Sequence, residues 1–227
     1  MEKKEFPKKD LGRNLKPDKA AVGKSSWISD KAFDIIKLVL GVCLLPFVYS
    51  STVAFLRQIA YIDSSLQDYF WFGVVTFIIV YLFVIEPGWV YEKGHKLLEV
   101  IFNFFQPLVK VAPYLLPVYT IIIFFVYLIL SLFTRESWLI NYAMFFFGVS
   151  LVMHLIFSSK AIRSKKGDLL RSNYIFGFSF IYIINLGIFA FFLNVIFKSF
   201  SFVNFCNTAY AIASSIFGVI FSQLFKV

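Results

Sequence analysis

Cysteine and charge are both scarce in this chain, and each scarcity excludes something. The only two cysteines, Cys43 and Cys206, both fall in apolar runs, so neither a disulfide framework nor a cysteine zinc site is supported. Charged residues make up 15% of the 227 positions and hydrophobic ones 59%. With a mean hydropathy of +0.78, that ratio excludes an ordinary soluble domain. No P-loop, nucleophile elbow or haem-binding pattern occurs. No repeated half with paired broken helices is evident, which argues against a transporter of that type. The first thirty residues are polar and carry eight Lys or Arg. The apolar run behind them is too long for a signal-peptide core, so they do not read as a secretory signal.

Long apolar runs and 31 phenylalanines fill the space that charge leaves. A spanning helix needs about 20 predominantly apolar residues. Six runs approach that, near 38–56, 69–85, 111–133, 138–158, 172–197 and 203–225. The expected class is all-α: a polytopic helical membrane protein of about six spans, embedded in a lipid bilayer. Pro46, Pro113 and Pro117 are expected to kink spans or to mark their ends. Residues 1–30 are expected to be a disordered, basic cytosolic arm that touches anionic headgroups. Nucleic acid is not an expected partner, because no aromatic interleaving or fold motif accompanies the charge.

Charge in the flanks predicts orientation. With the N-terminus in the cytosol, the inside segments hold nineteen of the 22 basic residues, and the outside loops hold only Arg57, Arg135 and Lys198. This asymmetry requires that residues 86–110 stay on the cytosolic side, and that the C-terminus lie there too. Leu97–Val109 is in any case too short to cross.

That segment predicts a short amphipathic or re-entrant helix over 91–106, ending before Pro107. Glu92, His95, Lys96, Glu99, Asn103 and Gln106 form a polar stripe at three- and four-residue spacing. Gly94 permits a close helix approach beside it. Two readings stay open at this point. The stripe lies in the headgroup region, or it faces other helices and lines a polar site. His95 and Glu99, at i and i+4, point the same way, as a shared metal ion requires. His154, near the cytosolic end of the fourth span, and Asp168, in the following loop, are the further candidate metal ligands.

The run PGWVYEKGH at 87–95 resembles the PGW-Y-x-x-GHELTH entry of bacterial membrane proteins related to site-2 metalloproteases, an M50-type family. LVKVAPYLLPVYT at 108–120 and the stretch from His154 to Asn185 are similar to theirs as well. The resemblance covers roughly residues 70–195. It implies a membrane-embedded metallopeptidase framework with zinc as the candidate cofactor. His95 then matches the first zinc-binding His, and Glu99 stands where the second His would be. Lys96 stands at the general-base position, and Asp168 is the counterpart of the distant carboxylate. His154 takes no family role.

Lys96 is the departure that matters, because an ammonium replaces the carboxylate that would activate water. The segment after Glu99 is also short beside the insertion that such proteins carry there. Together these features imply a pseudo-metallopeptidase in a bacterial inner membrane, acting as a binding or scaffold partner of another membrane protein. No catalytic residue is assigned in that reading. The alternatives are an active zinc metallopeptidase with altered ligands, and a non-enzymatic subunit of a larger membrane complex.

Overall fold

The structure, a computed structural model, describes residues 19–84, 86–104, 112–134, 136–164 and 174–225, apart from the side chains of 19–34 and 164. Its elements are all helices: α1 (Lys19–Ile59), α2 (Ser64–Phe83), α3 (Gly88–Ile101), α4 (Val118–Phe133), α5 (Ser137–Ser164), α6 (Tyr174–Ile196) and α7 (Phe202–Phe225). Five stretches are long and apolar enough to cross a membrane: Ile35–Ile59, Ser64–Phe83, Ser137–Arg163, Tyr174–Ile196 and Phe202–Phe225. The chain is therefore a polytopic helical membrane protein in contact with lipid.

Two stretches differ in detail from the apolar runs. The run expected to span 111–133 is broken. Residues 112–115 make one helical turn, and α4 begins only at Val118. Pro117 supplies no N–H to the preceding turn, and its ring drives Leu116 out of helical geometry. At 1.5 Å per residue the 16 residues of α4 reach about 24 Å, short of a 30 Å hydrocarbon core. The arm expected over 1–30 falls mostly outside the described residues. Residues 1–18 lie outside the description, but 19–30 are helical in α1. Extending an existing helix through good formers such as Ala20, Ala21 and Lys24 needs no new nucleus.

Chemistry at the ends explains the other boundaries. The Asp63 side chain accepts the Ser65 N–H at 2.9 Å and caps α2. α2 stops just ahead of Pro87, and that proline then serves as the N-cap of α3. At the far end of the chain, Ser201 Oγ accepts the Asn204 N–H at 3.2 Å and caps α7.

α2 and α5 make the tightest crossing, and two glycines allow it. A Cβ on Gly73 would lie 2.0 Å from the Phe145 carbonyl oxygen, and one on Gly148 would lie 2.2 Å from that of Phe70. Only residues without a side chain let the two backbones approach this closely. α4 and α6 pack on α5, and a buried hydrogen bond of 2.9 Å between Thr120 and Ser150 ties α4 to it. The core is phenylalanine-rich: Phe70 stacks on Phe189 at 5.4 Å, and Phe124 stacks on Phe192 at 4.1 Å. α1 joins through Phe55, which touches the rings of Phe70, Phe189 and Phe200, and through a 2.8 Å bond from Thr52 to the Tyr182 hydroxyl.

Candidate functional site

α3 starts three residues earlier and stops five residues sooner than the 91–106 expected. Its stability comes from one packed face, and beyond Leu98 nothing described on it is buried; Phe104 is 82% exposed. The helix presents three faces. Tyr91, Gly94 and Leu98 pack inward on α4 and α5. Glu92, Lys96 and Glu99 form an exposed polar stripe, and Trp89, Leu97, Val100 and Ile101 form an exposed apolar one. Gly94 does permit close approach: a Cβ there would lie 2.8 Å from the Tyr119 ring, whose hydroxyl donates to the Val90 carbonyl.

His95 sits at the seam between the packed face and the polar stripe. Its Nε2 lies 3.3 Å from Glu99 Oε1, so the i, i+4 spacing brings this pair together as expected. The His95 ring meets the Tyr114 ring edge-on, with centroids 5.1 Å apart. The Tyr91 ring neighbours both histidines, with centroids 6.1 Å from His95 and 6.0 Å from His154.

His154 is buried and turned to a backbone group. Its Nε2 lies 3.1 Å from the Tyr114 carbonyl oxygen, which Ser158 Oγ also approaches at 3.3 Å. The Tyr91 hydroxyl lies 3.2 Å from Ser158 Oγ. Ser158 Oγ also lies 3.2 Å from His154 Nε2. Donor accounting orders this set. With Ser158 donating to the Tyr114 carbonyl, the arrangement that satisfies every contact puts the His154 proton on Nε2 and has Tyr91 donate to Ser158. Burial pushes the Tyr91 phenol up to about 12, with the Ser158 bond opposing and Tyr114 adding to the rise. The break before Pro117 supplies the acceptors. It ends the helical turn, and the Tyr114 and Leu115 carbonyls meet side chains of α5 and α6 instead, Asn185 Nδ2 reaching Leu115 at 3.1 Å.

An open pocket of about 450 Å³ lies between the polar side of α3, Tyr114 and the C-terminal end of α5. Glu86, Tyr91, His95, Lys96, Glu99 and Lys160 are among the residues that line it. Lys160 is paired with Glu86 and lies 4.9 Å over the Tyr81 ring, which joins the start of α3 to α5.

Of the candidate ligands, His95 and Glu99 meet and His154 is turned to the Tyr114 carbonyl; Asp168 lies outside the described residues. Zinc takes three or four protein ligands. Among the described residues no three His, Cys, Asp or Glu side chains converge. The Nε2 of His154 would have to leave Tyr114 to take part. The described residues alone therefore do not make a zinc site. What they do make is a partly solvated recess that offers carboxylates, ammonium groups and aromatic edges.

Tyr91, Tyr114, Ser158 and the Glu86–Lys160 pair belong to the site without having been singled out from sequence. Tyr91 lies four residues before His95, and Ser158 lies four after His154. That spacing was the available signal. Compared with protein-family models, curated proteins and solved structures, the chain matches none.

Proposed function

We propose that this chain is a site-2-protease-like membrane protein that has given up peptide hydrolysis and works by binding another membrane protein at the α3 recess. The observation that carries this reading is Lys96. It stands one residue after His95, at the general-base position of the motif, on the exposed polar stripe. An ammonium there accepts no proton from water, and it repels a divalent cation held by His95 and Glu99. The recess keeps features useful for binding: a volume of about 450 Å³, the exposed carboxylates of Glu92 and Glu99, and a position at the cytosolic ends of α2 and α5 in the orientation that the basic residues favour. A bacterial inner membrane with cytosolic termini is part of the same reading.

The 3.3 Å approach of His95 to Glu99 favours a second reading, a metallopeptidase with altered ligands. Zinc analysis of the purified chain separates the two. Substoichiometric zinc, unchanged by Glu99→Ala, is expected here. One zinc per chain, lost on Glu99→Ala, would favour the metalloenzyme.

A further inference from the structure

At the other end of the bundle, where α1 stops and α7 begins, a second pocket of about 370 Å³ is lined by Gln58, Tyr61, Ser199, Asn204, Asn207 and Thr208. In a chain that is 59% hydrophobic, this lining holds no aliphatic and no charged side chain. Local structure explains how it is assembled. Asn204, Asn207 and Thr208 follow a three- and four-residue spacing and so share one face of the first turns of α7. The Ser201 cap fixes where that helix starts.

Gln58 is the anchor. It is only 6% exposed, and its Oε1 accepts the Ser201 N–H at 3.2 Å, which sets the plane of the amide. Its Nε2 has no hydrogen-bond partner among the described residues, and it is not sealed from the surface. A donor on a buried side chain lining a pocket is available to whatever fills that pocket. Tyr61 is 67% exposed and adds a flat ring with a hydroxyl.

The lining selects a chemistry by exclusion. The lining itself holds no cation and no carboxylate: Arg57 and Lys198 adjoin Gln58 and Ser199 in sequence but are not among the residues that line it, and the amides would leave an acyl chain facing unpaired polar groups. Amides and hydroxyls do match a group whose own hydroxyls both donate and accept, such as a sugar ring or glycerol. The volume is at the small end of the roughly 300–1,000 Å³ typical of ligand pockets. Leu56 and Val203, both exposed, flank the lining in sequence and place it at the edge of apolar, lipid-covered surface. We infer that the α1–α7 pocket binds an uncharged polyhydroxylated headgroup, presented by a membrane lipid, through Gln58, Asn204, Asn207 and Thr208.

The test uses the full chain reconstituted in nanodiscs of phosphatidylcholine containing a minority of monoglycosyl diacylglycerol. Native mass spectrometry reads which lipid stays bound. Retention of the glycolipid about tenfold above phosphatidylcholine is expected, which corresponds to one or two added hydrogen bonds. Asn207 is exposed, so Asn207→Leu should fold as the parent does and should lose that preference. Gln58→Leu also removes the acceptor for Ser201 and is secondary for that reason. Free methyl glucoside distinguishes the sources. Failure to displace the glycolipid assigns the site to a lipid headgroup, and displacement assigns the same chemistry to soluble saccharides. Equal retention of both lipids, or a preference that survives Asn207→Leu, would overturn the inference.

Discussion

His154 Nε2 lies 3.1 Å from the Tyr114 carbonyl, forty residues earlier in the chain, and this bond fastens α5 to the broken turn ahead of α4. Ser158 shares the acceptor, so either single loss leaves the other of these two donors in place. His154→Leu and Ser158→Ala should each lower stability by about 1 kcal/mol. The double variant should depart from the sum of the two, because the donors share one carbonyl and Ser158 Oγ also lies 3.2 Å from His154 Nε2. A double-mutant cycle of thermal unfolding in detergent checks this, and strict additivity would show that the two donors act independently.

The α2–α5 crossing should be intolerant of any side chain at Gly73 or Gly148. Even alanine there places a carbon about 2 Å from a carbonyl oxygen, so the helices must separate. Gly73→Ala and Gly148→Ala should each cost about 2 kcal/mol or more, with folded yield falling in size-exclusion profiles. Gly218, with nothing within 4 Å of its missing Cβ, is the contrast. Gly218→Ala should be neutral or stabilising, by up to about 1 kcal/mol of helix propensity. Equal tolerance at all three positions would mean that the crossing is looser than described.

Tyr91 gives a pH signature. Burial raises its phenol from the ordinary 10 to about 12 in the folded protein. A group held in its neutral form contributes stability that is fully present below the unfolded value. That contribution is lost as pH rises through the folded one. Stability should therefore fall between about pH 10 and 12, and the fall should be shallower in Tyr91→Phe. Ultraviolet titration should show one fewer late-ionising tyrosine in that variant. Identical alkaline titrations of parent and variant would contradict the burial of this hydroxyl.

Much of the helical architecture was legible in the sequence, for a physical reason. Apolar runs near twenty residues in a chain with little charge have few folded alternatives. The run at 111–133 stays apolar through Pro117, and the backbone breaks there, at one of the prolines expected to kink spans or to mark their ends. His95 and Glu99 were legible as a pair because i, i+4 neighbours meet on any helix. The acceptor for His154 was not, because a backbone carbonyl exposed by a distant proline has no sequence letter. Nor was the Glu86–Lys160 pair, whose members are 74 residues apart and meet only once α3 has docked on α5. The glycine crossing was hidden for the same reason, since spacing within one helix does not name its partner.

Cleavage is the most direct measure of whether Lys96 marks a lost reaction. The full chain, reconstituted with zinc and a quenched-fluorescent membrane-spanning peptide, should release no more product than protein-free vesicles. His95→Ala should leave that baseline unchanged. Chelator-sensitive cleavage by the parent chain, abolished in His95→Ala, would contradict the loss of hydrolysis and make the α3 recess an active site.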